Sequence, residues 1–311
     1  MFKMGSIKSA AKTALIKCMG LKKKERFLII TDKKKRGIAS VFLEEAQKIS
    51  DRCKLIEIPI GKIHGEEPHA NVAKELRNSD VALLVTTMSL SHTKARKNAC
   101  KSGARIASMP GITMDIIKRC VDVDYNDISR LNGKLCRILT KGKAVLVENK
   151  LGTKLSFSIK GRKCLDDNGI YTKKGRFGNL PAGEACLAPL EGTANGRLVV
   201  DKGFRKGRKI VMDIIDGKIV RIKGSAPKLR KIVKNKRYAN VAEFGIGTNP
   251  KAAAKGITLE DEKVLGTAHI AFGNNISFGG KLNVPFHLDC VFSKPTVFID
   301  GKIVMKNGKI C

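Results

Sequence analysis

Arg26-Phe-Leu-Ile-Ile-Thr-Asp32 is a short apolar run of the kind that forms a strand buried on both faces. A second such run is Val81-Ala-Leu-Leu-Val-Thr86. Between them, apolar residues recur at helical spacing in Ile38–Ser50 and Ala70–Asn78. Because strand and helix patterns that alternate need crossover connections, they predict a parallel sheet with helices on both faces.

The texture of the chain changes near Lys143. From there the apolar runs are short, and turn pairs such as Asp216-Gly217 and Asn307-Gly308 are typical of hairpins. We therefore predict an α/β plus α+β protein with a boundary near residue 148. Residues 1–148 form an N-terminal α/β domain with a parallel sheet, and residues 149–311 form a β-rich, metal-binding catalytic domain.

The composition bounds the class of protein. The chain has 311 residues, of which 42% are hydrophobic, enough for two sizeable cores. No apolar run approaches the roughly 18 residues of a membrane span, and the N-terminus lacks the apolar segment of a signal peptide. The nine cysteines form no CxxC pair, which favours reduced thiols. We expect a cytoplasmic protein without a membrane partner.

The net charge is strongly positive. Lysine and arginine number 61 against 28 acidic residues, giving +33, a field that attracts polyanions. The basic residues are nevertheless spread along the whole chain, and aromatic residues, at 5%, are not interleaved with them. Nucleic acid is thus expected to bind only through non-specific charge, and a generally lysine-rich surface is the simpler alternative.

Two histidines in the second half are candidate metal ligands. His287 is followed two positions later by Asp289, and on a strand such residues point to the same face. His269 lies upstream in the run Thr267-Ala-His-Ile-Ala-Phe-Gly273. An imidazole and a carboxylate that converge on one point are what a metal site needs. The alternative for each histidine is a satisfied position in the core.

Two glutamates stand in unusual surroundings. Glu184 follows a proline and a glycine, and Glu243 is flanked by Ala242 and Phe244. Burying an unpaired carboxylate is costly, and a metal ion or a cationic partner removes that cost. Either a shared metal site or salt bridges with the abundant lysines and arginines would explain both residues.

Taken together, the candidates are three carboxylates and two imidazoles: Glu184, Glu243, His269, His287 and Asp289. Five ligands, with one carboxylate able to bridge, suit two divalent ions. Because no thiolate is included, the set favours zinc, cobalt, manganese or iron.

Several motifs in the second half together resemble the aminopeptidase T family of thermophilic metallo-aminopeptidases, sometimes labelled leucyl aminopeptidases. They are Gly178-Asn-Leu-Pro-Ala-Gly-Glu184, Ala242-Glu-Phe-Gly-Ile-Gly-Thr-Asn-Pro250, Asp261-Glu-Lys263, Gly266-Thr-Ala-His-Ile-Ala-Phe-Gly273 and His287-Leu-Asp289.

The resemblance implies a hydrolase in which the five candidates bind two divalent ions, zinc, cobalt or manganese. These ions would activate water to remove N-terminal residues from small peptides. A further carboxylate, Glu262, Asp261 or Glu191, would shuttle the proton. The resemblance also implies a homodimer.

One position departs from that family. The peptidases carry a tyrosine in a His-x-Ala-x-Gly-x-x-Tyr pattern, and here the position is Ile276. Isoleucine donates no side-chain hydrogen bond, and losing one oxyanion donor typically costs about 100–1000-fold in rate. The residues therefore predict the metal site more firmly than the peptidase activity.

A related family supplies the alternative function. Ring-opening dioxygenases acting on dihydroxypyridine are similar in fold, and they hold a single Fe(II) with two histidines and one aspartate. His269, His287 and Asp289 match that set and leave open positions for oxygen. The presence of both Glu184 and Glu243 favours two metals, so this function is kept as the alternative.

The stretch Ser89–Arg96 is a candidate for substrate binding. His92 and Arg96 are one helical turn apart and, with Arg105, would hold a substrate carboxylate in the cleft between the domains. The alternative is an ordinary capped helix on the surface.

Overall fold

The computed structural model describes residues 6–202, 209–224, 229–230 and 235–311. The chain forms two compact units, one of Met1–Asp127 with Gly169–Ala182 and the other of Ile128–Asn168 with Gly183–Cys311. Residue 148, where we place the domain boundary, lies inside the second unit. The protein has a mixed α/β architecture, with parallel strands in the first unit and antiparallel strands in the second.

The first unit contains the expected parallel sheet. Its five strands, in spatial order, are β2 (Arg52–Ile58), β1 (Arg26–Asp32), β3 (Val81–Val85), β4 (Arg105–Ser108) and β8 (Phe177–Asn179). Strands β1 and β3 are almost wholly buried, as their continuous apolar runs predict. The edge strand β8 has only three residues and a mixed sequence, so it has no periodic pattern from which it could be predicted.

Helices connect and flank the strands. They are α1 (Ile7–Lys12), which continues as a π-helical segment (Thr13–Cys18), α2 (Arg36–Gln47), α3 (Ala70–Asn78), α4 (Lys94–Lys101), α5 (Met114–Cys120), α6 (Tyr125–Lys141), α7 (Thr258–Asp261) and a 3₁₀ turn (Ile276–Phe278). Within the ranges described, every helix is too short or too polar to cross a lipid bilayer.

The second unit is built on two antiparallel sheets. The eight-stranded sheet runs, in spatial order, β12 (Lys218–Lys223), β11 (Ile210–Ile215), β10 (Asn195–Val200), β6 (Lys154–Ser158), β5 (Ala144–Glu148), β16 (Thr296–Ile299), β17 (Lys302–Lys306) and β18 (Lys309–Ile310). The five-stranded sheet runs β15 (His287–Ser293), β14 (Thr267–Gly273), β13 (Val241–Gly247), β9 (Glu184–Leu187) and β7 (Leu165–Asp167).

One hydrophobic core joins these two sheets. Phe157 on β6 and Phe244 on β13 meet with ring centroids 5.2 Å apart, and Leu135 of α6 is buried in the same cluster. The five-stranded sheet therefore turns one face to this core, and its other face is free to carry polar side chains.

Two cysteines depart from the expectation of reduced thiols. Cys136 on α6 and Cys164 are joined in a disulfide, with Cα atoms 5.1 Å apart. The other seven cysteines form no disulfide among the described residues, and four of them are buried. Buried thiols of that kind act as small apolar core residues.

Candidate metal centre

The register of the five-stranded sheet brings all five candidate ligands to one face. Residues directly opposite each other on neighbouring strands share a face, as do residues two apart on one strand. The pairs that set this face are Glu184 with Gly247, His269 with Gly245, Glu243 with Ala271, Asp289 with Ala271 and His287 with Gly273. The partners are glycine or alanine, which leaves room for the functional side chains.

A β-bulge lies directly before Glu243. The pairing of β13 with β14 shifts register between Val241 and Glu243. Val241 and Phe244 both lie in the hydrophobic core although they are three positions apart, an odd spacing that a regular strand would place on opposite faces. The extra residue resolves this conflict by returning Val241 to the core, while Glu243 shares the ligand face with Gly245 and Gly247 through regular alternation.

The functional atoms form two groups that share Glu243. In one group, ligand atoms of Glu184, Glu243 and His269 lie within 4.8 Å of one another, and in the other those of Glu243, His287 and Asp289 do. The Nε2 atom of His269 lies 3.6 Å from one oxygen of Glu243, and the Nε2 atom of His287 lies 3.0 Å from the other. Asp289 Oδ1 lies 3.3 Å from His287 Nε2. The two imidazoles thus converge on a single carboxylate.

His269 is a buried imidazole whose polar atoms are unsatisfied among the described residues. It is completely buried, and neither of its ring nitrogens has a hydrogen-bond partner among the described residues. Glu184 Oε2 and Asp289 Oδ1 are likewise buried without such a partner. Buried polar groups are nearly always satisfied, so an imidazole and two carboxylate oxygens left open at one place fit a bound cation. A metal centre is therefore compatible with these side chains.

The electrostatics of the cluster agree with that conclusion. Burial opposes the charged form of His269, but the Glu243 and Glu184 carboxylates outweigh it and raise the pKa of His269 to about 9. Burial also raises the pKa of Glu184, to about 7, against the pull of Lys263. Burial acts on Glu243 in the same sense, yet His269 and His287 hold the pKa of Glu243 well below its usual range. The carboxylates thus draw positive charge to the imidazoles, and either protons or a metal ion can supply it.

His287 is held from its far side. Its Nδ1 atom lies 2.9 Å from the carbonyl oxygen of Asn274, and Phe278 stacks on its ring with centroids 5.0 Å apart. Donation from Nδ1 to a carbonyl leaves the Nε2 lone pair directed at Glu243 and Asp289, the arrangement usual for a metal-binding histidine. Ile276, which stands at the tyrosine position of the peptidases, is exposed on the same loop.

Two residues of the centre were not predicted from the sequence. Lys263 is fully buried, and its ammonium contacts carboxylate oxygens of Glu184 at 2.5 Å, Glu262 at 2.7 Å and Asp167 at 3.1 Å. Asp167 ends the three-residue strand β7. In the sequence Lys263 stands out only as the last residue of the motif Asp261-Glu-Lys263, and one lysine beside acidic residues carries little weight among 61 basic residues.

The three carboxylates considered as proton shuttles are all engaged. Glu262 pairs with Lys263, and Asp261 accepts backbone hydrogen bonds from Lys255 and Gly256. Glu191 accepts from Arg162 at 2.6 Å, and also from the Asn275 side chain and the Lys281 backbone. Of the three, Glu262 stands nearest to the candidate ligands, because it shares the Lys263 ammonium with Glu184.

The residues considered for substrate binding all belong to the first unit. His92 is exposed. Arg96 is half-buried, with its guanidinium 4.0 Å above the Phe177 ring and its Nε donating to the Ser91 carbonyl at 2.6 Å. Arg105 is buried and uses four of its five N–H donors inside the unit, two on the Glu25 carboxylate and two on carbonyls of Met19 and Gly20. These contacts give Arg105 a structural role in the first unit.

We expect Arg105→Ala to lower the free energy of unfolding by about 3 kcal/mol, because it leaves the Glu25 carboxylate and two carbonyls without their donor. The substrate KM is expected to stay unchanged. Urea denaturation and steady-state kinetics measure the two effects. Arg26→Ala, which breaks the exposed pair with Asp80, is the matched control and should cost less than about 1 kcal/mol. A raised KM at unchanged stability would instead identify Arg105 as a substrate-binding residue.

Comparison with known families decides which chemistry the cluster belongs to. The sequence model of the NicX family, 2,5-dihydroxypyridine 5,6-dioxygenase, matches residues 9–311. The chain belongs to the NicX family. A curated relative, the 2,5-dihydroxypyridine 5,6-dioxygenase of Pseudomonas putida KT2440, is 24% identical over 261 residues, which cover 77% of this chain and 74% of the relative.

Solved structures agree on the fold. The 2,5-dihydroxypyridine dioxygenase of Pseudomonas putida KT2440 superposes with a TM-score of 0.84 at 19% identity, covering 98% of this chain and 96% of that one. Wild-type AmpT from Thermus thermophilus superposes with a TM-score of 0.72 at 15% identity, covering 98% of each chain. Both likenesses concern the fold alone.

Membership of the NicX family corrects the function predicted above. The assignment to the aminopeptidase T family is wrong, and the metallo-aminopeptidase activity, the peptide hydrolysis and the peptide substrates that it implied fall with it. AmpT shares the fold but is the more distant structural match of the two. The proton-shuttle role of Glu262, Asp261 or Glu191 was inferred for peptide hydrolysis, and a catalytic role for any of the three stays a prediction. The homodimer and non-specific nucleic-acid binding stay predictions.

Proposed function

We infer that this protein is an iron-dependent dioxygenase that opens a hydroxylated pyridine ring of the 2,5-dihydroxypyridine type. Membership of the NicX family supports the reaction class. The observation that carries the inference is the buried His269, whose two ring nitrogens have no hydrogen-bond partner among the described residues while its Nε2 faces the carboxylate that also faces His287. These side chains could hold a redox-active metal ion. Dioxygenases of this class use such an ion because amino acid side chains alone do not activate oxygen.

Two histidines and one aspartate form the proposed iron site. His269, His287 and Asp289 are the donor set of non-haem Fe(II) oxygenases, and nitrogen and carboxylate ligands suit that ion. Glu243 lies between the two imidazoles and completes the ring of donors. When bound, the iron supplies the one-electron and dioxygen chemistry that the reaction requires.

The surrounding side chains hold these donors in place. The Asn274 carbonyl and the Phe278 ring restrict rotation of the His287 imidazole. Gly245 and Ala271, opposite His269 and Asp289 in the sheet, keep the face open next to the ligands. The buried setting of His269, Glu243 and Glu184 lowers the local dielectric and limits access of water. Outer contacts of this kind orient ligands and tune a bound metal.

The test is a direct assay of oxygen-dependent ring opening. Protein loaded anaerobically with Fe(II) is expected to consume one molecule of oxygen for each molecule of 2,5-dihydroxypyridine whose ring absorbance disappears. A chelator should abolish the reaction, and Fe(II) should restore it. The zinc-loaded protein should be inactive, because zinc has no redox chemistry. If iron-loaded protein takes up no oxygen with a panel of dihydroxypyridines and aromatic diols, the proposed function is wrong.

A further inference from the structure

The ammonium of Lys263 is a fully buried charge in the centre. Its side chain has no exposed surface, and three carboxylates surround it: Glu184 on β9, Asp167 at the end of β7 and Glu262 directly after α7. An ammonium is costly to bury unless it is paired and hydrogen-bonded. Three partners drawn from separate elements of the second unit therefore form a built cation site that the lysine itself occupies.

This cation site adjoins the candidate metal ligands through Glu184. One oxygen of Glu184 accepts from Lys263, and the other lies 3.6 Å from His269 Nε2 and has no hydrogen-bond partner among the described residues. Beyond His269, Glu243 leads to His287 and Asp289. The positive charge next to Glu184 thus comes from a side chain of the protein, Lys263. The candidate metal ligands converge around Glu243, on the other side of His269.

We propose that the Lys263 ammonium takes the place of a second metal ion in this centre. Glu184 and Glu243 could otherwise form a second metal group with His269, as the close approach of their ligand atoms indicates. Lys263 neutralises Glu184 and repels a divalent ion at that position, because like charges at short range in a buried site oppose each other strongly. The centre then binds one metal ion, and Lys263 acts as a positioning residue that holds Glu184 toward His269.

This inference rests on the proposed function only in requiring a single metal ion. It gives Glu184 a role in a chain whose proposed iron site uses only some of the five possible ligands. It also separates two kinds of carboxylate on one face of the sheet. Glu184 pairs with the Lys263 ammonium, and Glu243 and Asp289 face the proposed metal ion.

The experiment counts metal ions in the full-length protein. Wild-type protein dialysed against Co(II) is expected to retain one ion per chain, and Lys263→Met to retain two, with a second component in the cobalt absorption spectrum. A lysine that only stabilises the fold would change neither the number of ions nor the spectrum. Two ions in the wild type, or one in a folded Lys263→Met protein, would overturn the proposal.

Matched variants keep the test decisive if Lys263→Met folds poorly. Lys263→Arg preserves the charge and should retain one ion. The double variant Lys263→Met with Glu184→Gln removes the lysine together with the closest of its three carboxylate partners and should also retain one ion. Methylammonium added to Lys263→Ala should compete with the second ion and lower the count from two toward one. Two ions in the double variant would contradict the role given to Glu184.

The metal count is independent of ring opening. A shift from one ion to two on loss of Lys263 supports this inference even if no dihydroxypyridine is cleaved, which would refute only the proposed function. Ring opening by a wild-type protein that binds two ions would have the opposite meaning.

Discussion

Replacing His287 by alanine is expected to prevent stable iron binding and to lower the rate of ring opening about 1000-fold or more, since a bound metal contributes several kcal/mol to the reaction and each 1.36 kcal/mol is tenfold in rate. His287 Nε2 lies 3.0 Å from the shared Glu243 carboxylate, closer than His269 Nε2 at 3.6 Å, and it also faces Asp289. Without it His269 is the one imidazole left in the proposed site, and the pair of histidine ligands that suits non-haem Fe(II) is lost. Iron content after dialysis and the rate of oxygen uptake measure the two effects.

A histidine outside the centre provides the control. His69 is exposed just before α3 and makes no side-chain capping bond there, so His69→Ala should retain wild-type iron and wild-type rate. Zinc binding of the His287→Ala protein, followed without any assay of activity, separates loss of the site from loss of the reaction. An alanine variant that keeps its full iron content would show that His287 is not a ligand.

Local spacing predicted that His287 and Asp289 share a face, and unusual surroundings marked Glu184 and Glu243 as further candidates. The two-residue separation of His287 and Asp289 places both on one face of β15, and the strands that carry His269, Glu243 and Glu184 are its successive neighbours in the sheet. Spacing did not reveal the bulge before Glu243, because a bulge depends on which strand pairs with which. The same limit applies to Gly245, whose importance appears only once His269 is known to lie opposite it.

The contacts of Lys263 could not be predicted from any local sequence pattern. Its partner Glu184 is 79 positions away in the chain, and Asp167 lies on a three-residue strand that the sequence does not announce. Strand β8 escaped prediction for the same reason, although the longer buried strands β1 and β3 of its sheet were evident from their apolar runs. Short strands whose formation depends on contacts with distant parts of the chain, and not on a periodic pattern of their own, are recognised only in the structure.

The mistaken family has a structural cause. The dioxygenase and AmpT folds both superpose on nearly the whole chain, so a resemblance between chains that share this fold does not separate the two chemistries. Ile276 was the position that argued against a peptidase, because it cannot donate to an oxyanion. Its exposed side chain on the loop beside His287 agrees with a centre that performs another reaction.

Gly245→Ala is expected to lower iron affinity by about 10–100-fold, an effect comparable to losing an outer-sphere contact of a metal ligand. A Cβ atom at this position would overlap the imidazole ring of His269 on the neighbouring strand. Because the backbone of Gly245 is in an ordinary region, the change introduces no strain other than this collision, and overpacking of that kind typically costs about 1–3 kcal/mol of stability. Titration with iron under anaerobic conditions and urea denaturation measure the two quantities.

The predicted loss of affinity depends on the ring of His269 and not on alanine itself. Gly37→Ala on α2 is the matched control, because no atom lies within 4 Å of its added Cβ and alanine favours a helix over glycine by up to about 1 kcal/mol. That variant should bind iron normally and be equally or slightly more stable. Since the His269 ring fills the space above Gly245, a methyl group there must displace either the ring or the strand. Wild-type iron affinity in Gly245→Ala would therefore mean that His269 does not hold the metal.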